Sequence, residues 1–257
     1  MISVSNLKKD FILNRTQRKE LNTQKTFTTA VSNINFICKP GRIFSLLGPN
    51  GAGKTTTLRM LSTILKPSDG QIKICDLDVN IHGQEIRKKI GFLTGSTGLY
   101  ARLTPDELIR YFASLYKVPK TDLEIRIAHL YELLDMNHFK HKRIAKLSTG
   151  MKQKVSICRT MIHDPEVVIF DEPTSGLDVI TAENIIKLIR DCKQKGKTVI
   201  FSSHIMSEVD LLCDDIAIIH NGELLYNDTM DEFRKQMQAE NLTAEFIRIV
   251  GQQNQTI

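Results

Sequence analysis

Apolar and polar residues alternate from Ile2 to Leu7 and again from Ala30 to Cys38. That period of two predicts two half-buried strands. Residues 14–28 between them are polar and without period, so they predict a loop, and the whole reads as an antiparallel β flap. Beyond Lys39-Pro40-Gly41 the pattern changes to short unbroken apolar runs: Ile43 to Leu47, Ile90 to Leu93, Val167 to Phe170, Thr198 to Phe201 and Ile216 to Ile219. Such runs predict strands covered on both faces. Segments of helical period separate them, at Thr55 to Leu65 (Leu58, Leu61, Leu65) and Asp178 to about Gln194 (Ile185, Ile186, Ile189). From Thr104 to about Ile162 the pattern is helical only. Thr104-Pro105-Asp106-Glu107 opens a helix with a capping threonine, a proline at the first helical position and a glutamate three residues past the cap. A second helix is expected over about Asp122 to Leu134. After Asn221-Gly222, Leu224 to Tyr226 predicts a last strand. The segment from about Asp228 reads as polar and partly helical, with a flexible end at Gln252-Gln253-Asn254-Gln255. The fold class this predicts is α/β: a mixed sheet, an N-terminal antiparallel flap and an all-helical insertion.

Composition narrows the picture modestly. With 257 residues, 41% hydrophobic and no tryptophan, the chain can bury a sizeable core. No apolar run approaches the ~20 residues needed to cross a bilayer, and the N-terminal residues lack a signal peptide's apolar segment. The five cysteines are scattered with no C-x-x-C pair, which argues against a zinc site or disulfide framework and fits a reducing cytoplasm. The net charge is +6. Arg87-Lys88-Lys89 and His141-Lys142-Arg143 read better as solvated faces than as surfaces for nucleic acid or anionic lipid, and no aromatic residues interleave them to stack on bases.

The chemistry is concentrated in Gly48-Pro49-Asn50-Gly51-Ala52-Gly53-Lys54-Thr55-Thr56, which fits G-x-x-x-x-G-K-[ST] between a predicted strand and a predicted helix. In that context the glycines let successive N–H groups point at phosphate oxygens at the positive end of a helix. Lys54 reaches the β- and γ-phosphates, and Thr55 offers a hydroxyl to Mg²⁺. The run Val167 to Phe170 delivers Asp171 and Glu172 to the carboxyl edge of the sheet, where ligands of open α/β sheets bind. Asp171 is expected to hold Mg²⁺, and Glu172 to polarise a water for attack on the γ-phosphate. Leu147-Ser148-Thr149-Gly150-Met151 precedes another helix. There Ser148 and Gly150 make either a second anion site or a plain helix cap.

In this order and spacing the chain resembles the ATP-binding subunits of ABC transporters over roughly residues 2 to 227. The motifs carrying the likeness are the phosphate loop, a signature-like Leu-Ser-Thr-Gly-Met, the acidic strand ending in Glu172, Ser175-Gly176-Leu177-Asp178 as a D-loop, and His204 as a switch histidine. The phosphate loop and signature wording are most similar to the sodium-extrusion (NatA-like) and drug-export subgroup. The resemblance implies a P-loop NTPase core over 1–228, with the helical subdomain inserted at about 95–162 and a short tail over 229–257. It also implies head-to-tail dimerisation around two ATP–Mg²⁺, with a homodimer as the expected pair. Ser148 and Gly150 would contact the γ-phosphate held by the partner chain, His204 would contact the γ-phosphate of its own chain, and Asp178 would link the two sites. Phe11 matches the aromatic that stacks on adenine, with Phe27 its rival. The implied partner is an integral membrane permease docked near Gly98 to Lys117, at the cytoplasmic face of the membrane, and no nucleic acid is expected.

Two departures from the family pattern stand out. Gly95 replaces the usual glutamine, with Thr94, Ser96 and Thr97 around it, and Thr149 and Met151 replace glycine and glutamine in the signature. A nucleotide-binding regulator with little turnover is the rival reading that Gly95 keeps alive, and Glu172 argues against it. A soluble mechanochemical ATPase on nucleic acid is disfavoured by the absence of heptads and of a second phosphate loop.

Overall fold

The computed structural model describes residues 1–20, 22–94 and 98–253. The chain opens with β1 (Ile2–Ile12), α1 (Arg15–Glu20), β2 (Phe27–Cys38), β3 (Ile43–Leu47) and α2 (Lys54–Leu61). It continues through β4 (Asp69–Ile74), β5 (Leu77–Asp78), α3 (Gly83–Lys89) and β6 (Ile90–Leu93). The helical stretch holds α4 (Pro105–Leu115), α5 (Lys120–Leu133), a 3₁₀ turn at Ile144–Lys146 and α6 (Thr149–Met161). Then come β7 (Val167–Asp171), α7 (Val179–Gln194), β8 (Thr198–Ser203), α8 (Met206–Leu212), β9 (Asp215–His220), β10 (Glu223–Thr229), α9 (Met230–Gln236) and α10 (Leu242–Gln253).

Two sheets result. One is antiparallel, in the order β2-β1-β4-β5; the other is β10-β9-β3-β8-β7-β6, parallel throughout except for the β9–β10 hairpin. The apolar runs form central strands because each supplies two cores at once. Val168, Phe170, Val199 and Phe201 face one core, shared with the helical stretch and α7 to α10. Their chain neighbours Val167, Ile169 and Ile200 face the other, shared with α2 and the antiparallel sheet. A strand alternates its side chains between faces, so covering both faces demands an unbroken apolar run.

The fold class read from the sequence holds, including the flap and the all-helical stretch. The capping box at Thr104 forms: Thr104 Oγ1 accepts from the Glu107 N–H at 3.3 Å, and Glu107 Oε2 accepts from the Thr104 N–H at 2.8 Å. The expected loop over residues 14–28 needs correction, because α1 interrupts it. Asn14 and Gln17 cap each other reciprocally, with Gln17 N–H to Asn14 Oδ1 at 2.9 Å and Asn14 N–H to Gln17 Oε1 at 3.0 Å. Local hydrogen bonds hold this turn, and none of its residues is buried. The helix after the phosphate loop ends at Leu61 rather than Leu65, since Thr63 enters the left-handed region at φ 61°. β1 outlasts Leu7 and runs to Ile12, bending through Asn6 at φ 49° with shifts of register against both neighbours.

Helix α4 is seated on the far end of α6. The Arg159 guanidinium lies 5.2 Å from the centre of the Phe112 ring, and its Nη1 donates to the Gly98 carbonyl at 3.3 Å. Tyr116 stacks on His163 at 3.9 Å, while His163 Nε2 lies 3.0 Å from the Ile90 carbonyl oxygen. Burial holds the His163 imidazole down at a pKa of about 4. The C-terminal helix α10 packs Phe246, Ile249 and Val250 against the first core, with Leu242 buried beside them. Residues 254 and 255, and Gly95 with Ser96 and Thr97, lie outside the described residues.

Candidate nucleotide site

The phosphate loop is pinned between β3 and α2, and its backbone passes close to other backbone. A Cβ at Gly48 would sit 2.2 Å from the Ile219 carbonyl oxygen. At Gly53, which has φ 109°, a Cβ would sit 2.6 Å from the Ala30 carbonyl oxygen. Only glycine fits either place. Asn50 and Gly51 are exposed at the tip, Pro49 and Thr56 are partly covered, and Ala52 is packed into the second core.

Lys54 is 5% exposed, and its ammonium donates to the Gly48 and Pro49 carbonyls at 2.6 and 3.0 Å. It lies 3.7 Å from Glu172 Oε1. Burial lowers its pKa, and the neighbouring Glu172 and Asp171 carboxylates oppose that shift. Thr55 Oγ1 donates to Asp171 Oδ1 at 3.1 Å, so the loop and the acidic strand meet through one oxygen pair.

The strand β8 adds a residue that motif reasoning missed. Ser202, fully buried, donates its hydroxyl to Asp171 Oδ1 at 2.8 Å and accepts from the Glu172 N–H at 3.0 Å. Glu172 leaves β7 at φ 49°, a left-handed conformation that costs a non-glycine residue about 1–2 kcal/mol. The hooked N–H helps offset that strain and turns the carboxylate out of the strand. His204, just past β8, brings Nδ1 to 3.3 Å from Glu172 Oε1. Lys54, Thr55, Asp171, Glu172 and His204 therefore converge at the carboxyl edge of the parallel strands; the phosphate loop and acidic strand were expected there from their pattern, and His204 from the family resemblance. Ser202 stands just past the apolar run Thr198 to Phe201, and a serine at a strand end carries no sequence signal of the two bonds it makes here.

Ser148, Gly150 and Asp178 form a second, more exposed cluster. Ser148 caps α6, accepting from the Met151 N–H at 3.3 Å. Asp178 caps α7 through the Thr181 N–H at 2.9 Å and accepts from the Thr181 hydroxyl at 2.8 Å. Gly150 lies against the Asp178–Thr181 pair, since a Cβ there would be 3.2 Å from Thr181 Oγ1 and 3.5 Å from Asp178 Oδ2. Gln153 Nε2 reaches from α6 to the Pro173 carbonyl at 3.0 Å and joins this cluster to the loop after Glu172.

Phe11 and Phe27 separate by face. Ile12 pairs with Phe27 and Phe11 with Thr28, so the two aromatic rings stand on opposite faces of the hairpin. Phe11 is partly covered, with the Lys9 ammonium 5.3 Å from its ring centre, and Phe27 is 48% exposed.

Comparison with known proteins agrees with this architecture. A family model described as "ABC transporter" matches residues 31–175. The ABC transporter ATP-binding protein NatA of Bacillus subtilis (strain 168) is 38% identical over 225 residues, covering 87% of this chain and 92% of NatA. The bacitracin transport ATP-binding protein BcrA of Bacillus licheniformis is 39% identical over 207 residues, or 80% of this chain and 67% of BcrA. A solved structure of an ATP-binding subunit of an ABC transporter superposes with a TM-score of 0.84 at 25% identity, covering 97% of this chain and 99% of that one. The ATP-binding cassette MJ0796, solved as a dimer in a post-hydrolysis state bound to ADP and Pi, shares the fold with a TM-score of 0.77 at 24% identity, over 90% of this chain and 99% of that one.

Proposed function

The chain belongs to the family of ABC transporter ATP-binding subunits, which hydrolyse ATP, and on that premise we propose that it is the motor of a membrane exporter. Two copies would close around two ATP–Mg²⁺, and a separate integral membrane permease would convert closing and reopening into transport. Similarity to the bacitracin transport protein BcrA supports drug efflux as the cargo class, and sodium ion, implied by the subgroup resemblance, is the alternative.

The observation that carries the reading is the convergence of Lys54, Thr55, Asp171, Glu172 and His204 on the phosphate loop. Lys54 and the loop's N–H groups bind the β- and γ-phosphates. Glu172 orients and deprotonates the attacking water, with His204 beside it on the γ-phosphate. The Thr55 hydroxyl and Asp171 carboxylate, 3.1 Å apart, are hard oxygen donors suited to Mg²⁺. A cation there would neutralise charge on the β- and γ-oxygens. Ser148 and Gly150 would complete the partner's site, and Asp178 would link the two. Val179 and Ile180, 85% and 74% exposed beside Asp178, supply apolar surface for such a dimer. Phe11 is favoured over Phe27 for adenine, because it shares a strand face with Lys9, the partner of Val31, and Val31 borders Gly53.

The surface from Gly98 to Lys117 suits a permease. Tyr100, Tyr111, Leu115 and Tyr116 are 39–57% exposed there, and the Tyr100 and Tyr111 rings meet edge to face. Contiguous exposed aromatics mark a binding surface more often than a solvated one. No helix among the described residues is long and apolar enough to cross a membrane; the placement at the cytoplasmic face as a peripheral subunit rests on the family.

The test is Glu172→Gln. This variant should bind ATP, hydrolyse it at least about 100-fold more slowly, and accumulate an ATP-dependent dimer visible by light scattering. Hydrolysis at the parent rate would remove Glu172 from its role. Purification in mild detergent should bring down a membrane protein, and repeated failure to recover one would count against the exporter.

A further inference from the structure

Glu208 is a buried carboxylate outside every motif used so far. It stands in the first turn of α8 and is 8% exposed. Its Oε2 accepts from the Thr174 hydroxyl at 2.8 Å and from the Ser203 hydroxyl at 3.3 Å. Thr174 is two residues past Glu172, and Ser203 immediately precedes His204. Ser203 Oγ in turn accepts from the Ile205 N–H at 3.0 Å, so the residues on both sides of His204 are held. Thr174 and Ser203 are themselves 5% and 3% exposed.

Burying a carboxylate is costly unless its oxygens are satisfied, and an apolar residue would fill the same space more cheaply. What this carboxylate supplies is one oxygen shared by two loops, each carrying one half of the Glu172–His204 pair. We propose that Glu208 is a positioning residue for hydrolysis: by tying Thr174 to Ser203 it sets the spacing of Glu172 and His204. The inference rests on the roles given to those two residues above. Glu208 acts through the loops it joins.

The experiment measures single-turnover ATP hydrolysis and ATP affinity of the full chain. Glu208→Ala should lower the hydrolysis rate about 10- to 100-fold, the cost of misplacing a reacting group by about an ångström. Its affinity for ATP should stay within about threefold, because the phosphate loop is untouched. Glu208→Gln keeps an oxygen that can accept both hydroxyls, so it should recover to within about threefold of the parent rate. In a His204→Ala background, Glu208→Ala should cost less than about threefold, since half of the pair it aligns is already gone. A purely structural glutamate would give the full loss in both backgrounds and would lower affinity along with rate. Either result overturns the proposal, as does a Glu208→Gln variant as slow as Glu208→Ala. If Glu208→Ala does not fold, Thr174→Val and Ser203→Ala each remove one donor and should slow hydrolysis at unchanged affinity; parent rates in both would overturn it equally. If Glu172→Gln and His204→Ala themselves hydrolyse at the parent rate, the site reading has failed. If both are slow while Glu208→Ala is not, only this inference has.

Discussion

Replacing Ser202 with alanine is the cleanest test of how the acidic strand is built. The side chain is fully buried, and alanine fits its space with the loss of one oxygen. Two hydrogen bonds go with it: the 2.8 Å bond donated to Asp171 and the 3.0 Å bond accepted from the Glu172 N–H. A bond to a charged group is worth about 1.5–3 kcal/mol. Asp171 keeps its bond from Thr55, however, and the Glu172 N–H keeps a 3.2 Å bond to the Ser202 carbonyl. Neither group is orphaned, so the net loss of stability should be about 1–2 kcal/mol. The functional loss should be larger in proportion, because the left-handed backbone at Glu172 loses part of its clamp. Single-turnover hydrolysis should fall about 10- to 100-fold, with ATP affinity little changed. Urea unfolding gives the first quantity, with an unchanged m-value as the check that only stability moved. A destabilised variant that hydrolyses ATP at the parent rate would refute the argument, since Glu172 would then hold its position without Ser202.

Three further outcomes follow from the structure. Thr104→Ala should lower stability by about 1 kcal/mol in the same urea assay, because it removes half of a capping box whose two bonds are both present. Gly48→Ala should cost about 1–3 kcal/mol, since its Cβ would meet backbone rather than a yielding side chain, and a parent-like midpoint would mean the loop relaxes freely. His163 is held neutral with a pKa of about 4, below its unfolded value of 6.5, so its contribution is complete above pH 6.5 and is lost as pH falls towards 4. Across that window the parent should lose about 3 kcal/mol more than His163→Gln, and parallel curves for the two proteins would contradict the burial assigned to the ring.

The parallel core was legible because its physics is local. A strand covered on both faces must be apolar at every position, and a phosphate loop must carry glycine where backbone meets backbone. Thr104 was legible for the same reason, as its cap involves only the next three residues. What escaped depends on distant contacts or on order without apolar period. α1 has no buried face, and its Asn14–Gln17 cap lies in a tract that reads as plain polar loop. β1 runs on through Lys8, Lys9 and Asp10, residues that no alternation would assign to a strand, because β2 and β4 pair with it on both sides. Ser202 and Glu208 acquire meaning only when β7, β8 and α8 are brought together, which no spacing along the chain announces. α10 lies in the segment read as partly helical, and Leu242, Phe246, Ile249 and Val250 at helical spacing carry its pattern.

The alternation of the central strands between two cores also says how damage to this protein should be repaired. Val168 and Ile169 are covalent neighbours, yet their side chains belong to separate packing communities on opposite sides of the sheet. Sites that share no partners contribute additively to stability, whereas sites in contact do not. A selection for second-site suppressors should therefore be partisan. Revertants of a cavity at Val168 should arise among α4, α6 and α7, and revertants of one at Ile169 among α2 and the antiparallel sheet. The sheet would act as a genetic partition one strand thick.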